Sequence, residues 1–308
     1  MADDNTPARR SCGTMAEFHR LAELDSGYRA RLAGIEETTQ KALARMNVAK
    51  LKAVTVPVVV HVLYKSADQN ISDAQIQSQL DVLNADYNAT NADRPNVPAV
   101  WSSLAGNAKI SFKLAKKDPG GAATGGIIRK KTKIDGFGQD DGMKFAASGG
   151  SDAWDTGRYL NMWVCDLAGG LLGYAQFPGG PAETDGVVMR NTAFGTGGIA
   201  EPPFNLGRTA THEVGHFLNL RHIWGDTEDC SGSDLVSDTP RQQLPNYDEP
   251  AFPHISCNNG PNGDMFMNYM DYVNDRAMFM FTSGQVARMR ATLSGPRKNL
   301  VKDAALRT

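Results

Sequence analysis

One segment constrains the fold more than any other: Val54-Thr-Val-Pro-Val-Val-Val-His-Val-Leu-Tyr64 is a continuous, largely β-branched run. A strand with one wet face would alternate apolar and polar residues. This one does not, so it is expected to lie inside a sheet covered on both sides. Before it, residues 1 to about 50 are rich in Arg and Glu, with helical apolar spacing at Phe18, Leu21, Leu24, Leu32 and Ile35. That stretch reads as an appendage, with the folded core beginning near residue 54.

The rest of the chain alternates helical and strand signals. Ser72 caps a predicted amphipathic helix that carries Ile76, Leu80, Leu83 and Tyr87 on one face. Strand candidates follow at 109–116, 127–134 and 159–167, each bounded by Gly, Pro or Asp turns. Leu171-Leu-Gly-Tyr-Ala-Gln-Phe-Pro178 is another, followed by a short strand at 186–189. Gly173 within it and Pro178 at its end suit an edge strand, which can accept a peptide as one more strand, with Leu172 and Gly173 as candidate substrate contacts. A helix is expected at about 206–220, then irregular chain, then a last helix at about 283–293.

The chemistry concentrates at residues 212–222. His212-Glu-Val-Gly-His216 is the His-Glu-x-x-His arrangement. Positions four apart share a helix face, so both imidazoles can reach one metal, while Glu213 stands beside it without ligating. His222 lies six residues past His216 and completes a three-histidine site only if the chain turns near Asn219. Three neutral nitrogens with a fourth position left open describe catalytic zinc. Such an ion lowers the pKa of water towards ~7, and Glu213 is the base that takes the proton during attack on a carbonyl.

Charge excludes other classes. Across 308 residues, 32 basic and 34 acidic side chains leave a formal charge of −2, with no field to recruit nucleic acid or an anionic membrane. No apolar run approaches the roughly 20 residues that cross a bilayer. The opening Met1-Ala-Asp-Asp-Asn-Thr-Pro7 is acidic where a secretory leader is basic and then apolar, so a leader is either removed or absent. A monomer is expected.

His212-Glu-Val-Gly-His-Phe-Leu-Asn-Leu-Arg-His222 resembles the extended zinc signature of the metzincins, with Asn219 where that family has glycine. Asparagine is the next best residue at positive φ. Leu160-Asn-Met-Trp-Val-Cys165, Asp185-Gly-Val-Val, His222-Ile-Trp-Gly-Asp, Asp238-Thr-Pro, Asn268-Tyr-Met-Asp-Tyr-Val-Asn-Asp275 and Phe281-Thr-Ser-Gly-Gln resemble, in order, blocks of the pappalysin family, most closely its ulilysin-like microbial members. The resemblance covers about residues 54–293. It implies an α+β metzincin-type fold: a segment 1–52 that keeps the enzyme latent, an upper catalytic subdomain 53–222 with a twisted mixed sheet, and a smaller lower subdomain 223–308.

The resemblance also implies roles. Met270 matches the Met-turn beneath the zinc histidines, and Tyr272 the tyrosine that hydrogen-bonds a developing oxyanion. Cys230 and Cys257 match a disulfide, which favours an oxidising, secreted setting. A second bridge, near Glu249 and at Ala277, has lost both cysteines. Cys165 reads as a buried small hydrophobe. Arg10-Ser-Cys12-Gly-Thr resembles a prosegment motif whose thiolate occupies the catalytic zinc, with Arg10 free to pair with an acidic group in the cleft. Calcium is expected in the acidic loop 226–239, with Asp234, Asp238 and Thr239 as ligands. Asp275 is the candidate base of a pocket for Arg or Lys on the primed side, the residues C-terminal to the cut, and Lys50 or Lys52 are candidate self-cleavage points. The function implied is a secreted zinc metalloendopeptidase acting on proteins or peptides and held latent by its own prosegment. The alternatives are a zinc-dependent hydrolase of non-peptide substrates and a non-catalytic binding protein on the same fold.

Overall fold

The computed structural model describes Pro7 and residues 9–308; residues 1–6, most of the stretch read for a leader, lie outside them. Its centre is β1 (Val54–Tyr64), in which every residue from Val56 to Leu63 is buried. Val56, Val58, Val60 and Val62 face the main apolar core, while Val59 and Leu63 pack into separate clusters. Burial on both faces is what the unbroken run requires.

Strand β1 is long enough to serve two neighbours along one edge. β2 (Ile110–Leu114) pairs with its first half and β3 (Ile127–Lys131) with its second, both parallel. On the other edge lies β4 (Leu160–Cys165), then β6 (Val187–Arg190), both parallel, then β5 (Gly173–Ala175), antiparallel to β6. The order β2-β1-β4-β6-β5 places β5 at the sheet edge, as Gly173 and Pro178 foretell. β2, β3, β4 and β5 are shorter than their sequence windows because only part of each finds a ladder partner, while β6 keeps its length one residue later.

Helix α1 (Thr14–Leu24) and α2 (Tyr28–Leu43) form the N-terminal appendage. Helix α3 (Asp73–Tyr87), capped by the Ser72 side chain, covers the sheet with α5 (Arg208–Phe217), and a one-turn α4 (Ala99–Ser102) lies between them in sequence. Residues 223–282 are largely irregular and are tied by the Cys230–Cys257 disulfide. Helix α6 (Ser283–Ser294) opens with a capping box between Thr282 and Gln285, and α7 (Lys298–Val301) follows. Among the described residues no helix is long and apolar enough to cross a membrane. Cys165 is buried and unpaired in β4.

Candidate active site

The metal-binding geometry begins with how α5 starts and stops. Gly207, at φ 76°, turns the chain into the helix, and all ten helical residues are buried. The helix ends in a Schellman turn, with the Leu220 N–H donating to Gly215 O at 3.0 Å and the Asn219 N–H to His216 O at 2.8 Å. Asn219 takes the left-handed position at φ 71°. The helix is therefore shorter than the 206–220 window, and its early stop brings His222 back beside His216.

The three imidazoles then converge. His216 Nε2 lies 3.1 Å from both His212 Nε2 and His222 Nε2. Each Nδ1 has its own acceptor: Tyr269 O at 2.7 Å for His212, Leu220 O at 2.8 Å for His216, and Asp226 Oδ1 at 2.5 Å for His222. The two carbonyls and the ionised Asp226 carboxylate only accept, so Nδ1 carries the proton and a neutral ring in each place presents a bare Nε2 lone pair to the others. Burial and mutual repulsion push His212 and His216 well below the usual histidine range, which keeps them neutral. Three lone pairs aimed at one point repel unless a cation lies among them. Tetrahedral zinc at 2.0–2.1 Å from each nitrogen separates its ligands by about 3.3 Å, so the donor set fits.

Glu213 points along the same cavity. Its Oε2 accepts from Cys12 Sγ at 3.4 Å and from Thr14 Oγ1 at 3.1 Å, and burial pushes its carboxyl up to about 8 against those two bonds and the Arg10 charge. The Cys12 sulfur and the ligand nitrogens of the three histidines all lie within 4.8 Å of one another. The Tyr272 hydroxyl donates to the Cys12 carbonyl at 3.4 Å, and its ring centroid lies 4.9 Å from that of His222. Met270 is fully buried against α5; a Cβ at Gly215 would meet its Sδ at 2.5 Å, so only glycine lets the thioether so close beneath the histidines.

The N-terminal segment fills the cleft along β5. Cys12 bridges Gly173 in the parallel sense, the Gly13 N–H donates to Gly173 O at 2.9 Å, and the Leu172 N–H donates to Ser11 O at 3.1 Å. On one side Arg10 reaches Asp275, Nη2 to Oδ1 2.5 Å, with both side chains buried. The second Asp275 oxygen accepts from the Leu206 and Arg208 N–H groups at 2.8 and 3.2 Å.

The acidic loop divides. Asp234 accepts from Thr239 Oγ1 at 2.9 and 3.0 Å, while Asp238 accepts from Thr282 Oγ1 at 2.7 Å and from the Gly284 N–H at 2.8 Å, at the start of α6. Asp226, grouped with that loop by sequence, instead orients the His222 ring. Its spacing of four from His222 is the only sequence signal for that role. Glu249 stands 3.7 Å from Arg276.

Known proteins agree with this geometry. The family model for pregnancy-associated plasma protein-A, peptidase family M43, matches residues 147–294. An extracellular metalloprotease of Arthroderma benhamiae is 32% identical over 243 residues, 77% of this chain and 76% of that protein. One from Pyricularia oryzae is 32% identical over 250 residues, 78% of this chain and 75% of that protein. Mature mirolysin of Tannerella forsythia, solved with a cleaved peptide, superposes with TM-score 0.81 at 51% identity over 83% of this chain and 98% of its own. A promirolysin mutant from the same organism superposes with TM-score 0.89 at 46% identity over 96% of this chain and 98% of its own. The chain belongs to the pappalysin family of metzincin zinc metalloendopeptidases.

Proposed function

We propose that this chain is the latent form of a secreted endopeptidase in which His212, His216 and His222 hold zinc, Glu213 moves protons, and residues 1–52 block the cleft. The observation that supports it most is the set of three bare Nε2 atoms pointing at one place. Zinc bound there supplies a Lewis acid that acidifies water and polarises a carbonyl.

The protein's own groups do the rest. β5 offers its edge to an extended peptide, as it does to residues 11–13 in the latent chain. Glu213, buried and non-ligating, takes a proton from the attacking water and returns it to the amine that leaves. The Tyr272 hydroxyl, already on the Cys12 carbonyl, is placed to donate to a substrate carbonyl as negative charge grows on it. Asp275 selects Arg or Lys on the primed side, and Arg10 occupies that pocket as a stand-in for the substrate. Cys12 supplies sulfur where the substrate would react, a soft ligand suited to zinc. Lys50 and Lys52 are exposed just before β1 and accessible for the maturing cut. Relatives named extracellular and the disulfide favour secretion. Calcium at Asp234, Asp238 and Thr239 is a separate proposal, centred on Asp234 because Asp238 already serves α6; a rise in melting temperature with millimolar calcium that Asp234→Asn abolishes supports it, and no rise removes it.

Casein hydrolysis tests the main reading. The matured chain cleaves casein, loses activity to a chelator and regains it with zinc, whereas Glu213→Ala binds the same zinc and leaves casein intact. A Glu213→Ala chain as active as the unmutated one overturns the assignment.

A further inference from the structure

The N-terminal segment passes three landmarks in order: Asp275 at Arg10, the histidines at Cys12, and a cluster of charge that joins buried Glu17 and half-buried Arg20 to Asp141. Residues 11–14 advance along β5 from Leu172 to Ala175, so the third landmark follows Cys12 in the direction away from Arg10. No step of the mechanism uses it.

Its core is Lys144, whose side chain is fully buried. The ammonium lies 2.7 Å from Asp141 Oδ1, donates to Thr184 O at 2.8 Å and sits 4.9 Å from the centre of the Tyr174 ring. The Tyr174 hydroxyl, from edge strand β5, donates to the same Asp141 oxygen at 3.0 Å. Asp141 holds a left-handed backbone, φ 64°, the kind of strain that persists where surroundings demand it. One carboxylate oxygen is thus fixed internally, and the other meets the guanidinium of Arg20 from the N-terminal segment. Arg20 is held in turn by two 2.8 Å bonds to Glu17. From the same loop, Gln139 donates its amide to the Gly13 carbonyl, a main-chain contact of the kind any peptide can offer.

When residues 1–52 leave, Glu17 and Arg20 leave together. Asp141 keeps Lys144 and Tyr174 on one oxygen, and its other oxygen loses the Arg20 guanidinium that covers it. Lys144 neutralises the net charge of the pair but engages only one oxygen, so the other remains an acceptor for a cationic donor, as it is for Arg20 in the uncut chain. We infer that Asp141, positioned by Lys144 and Tyr174, is a second specificity residue of the mature enzyme, binding an Arg or Lys side chain on the nonprimed side of the cut, N-terminal to the scissile bond. The inference rests on the endopeptidase reading and extends it: the preferred substrate is a peptide with a basic residue on each side of the bond.

The test uses the full chain matured by limited trypsin treatment at the exposed Lys50 and Lys52, with quenched fluorescent peptides that share a primed-side Arg. Nonprimed positions are varied one at a time among Arg, Ala and Glu. A charge-assisted hydrogen bond predicts kcat/KM for Arg over Ala at one such position of about tenfold to a hundredfold, with Glu poorest. Asp141→Asn brings the Arg-to-Ala ratio close to one, while Asp140→Asn, at the exposed neighbour, keeps it. The comparison of peptides on the unmutated enzyme decides the matter even if Asp141→Asn does not fold. Equal rates for Arg and Ala at every nonprimed position, in an enzyme that still cuts before Arg, overturn this inference alone. A matured chain that cuts no peptide overturns the endopeptidase reading as well.

Discussion

Latency is expected to depend on Arg10 more than on any other exchangeable side chain of the N-terminal segment. Arg10 is 3% exposed, pairs with buried Asp275, and donates to Val273 O at 3.1 Å and Thr209 Oγ1 at 3.2 Å, with its guanidinium 5.1 Å from the Phe204 ring centre. Removing one member of a buried ion pair costs roughly 3–5 kcal/mol, mostly because the survivor is stranded. Asp275 is not fully stranded, since two backbone N–H groups remain on its second oxygen. The loss on Arg10→Ala therefore falls at the lower end, about 3 kcal/mol, which shifts the docked-to-open equilibrium of the segment roughly 150-fold. The assay follows hydrolysis of a short fluorogenic peptide by freshly purified full-length chain, together with loss of the segment by intact mass. Arg10→Ala should raise the initial leak by about two orders of magnitude, with Arg10→Lys between, because one ammonium cannot span three acceptors. A folded Arg10→Ala chain as silent as the unmutated one refutes the reasoning.

Two further outcomes follow from the scaffold. His61, buried between Ser151 and Asn161 and stacked on Trp163, is held down to about 4 by desolvation. The unfolded chain takes up this proton as pH falls through about 6.5, the folded chain only near 4, so stability is complete above pH 6.5 and is lost below it. Urea denaturation should therefore show the unmutated chain losing about 2 kcal/mol more than His61→Gln between pH 7 and pH 5, and parallel losses would contradict the burial argument. The Cys230–Cys257 bridge spans a sequence separation of 27. Replacing both cysteines by serine should cost roughly 3–4 kcal/mol on the loop-entropy account, read from the same denaturation curves, and an unchanged midpoint would mean the lower region is ordered without it.

What the sequence makes legible follows from periodicity and short spacing. The Val54–Tyr64 run announces a strand covered on both faces because nothing polar interrupts it, and the His212–His216 interval encodes one helical face. Asn219 is legible for a backbone reason, as the residue after glycine best able to end the helix and return the chain to His222. Contacts between distant segments leave no such trace. Arg10 and Asp275 are 265 residues apart, and only a family resemblance suggests that the arginine seeks an acidic partner. Asp226 looks like its neighbour Asp229 until the fold places one on His222 and the other on Ser231. Lys144 has Asp141 three residues before it, but its burial depends on Trp163, Tyr174 and Thr184, brought in from three other parts of the chain.

Zinc K-edge X-ray absorption on the full-length and matured chains tests the central claim most directly. One zinc per chain is expected, with three nitrogen neighbours near 2.0 Å and one sulfur near 2.3 Å before maturation, and the same three nitrogens with the sulfur gone afterwards. Zinc without three nitrogen neighbours, or a full-length chain whose zinc has no sulfur neighbour, would contradict it.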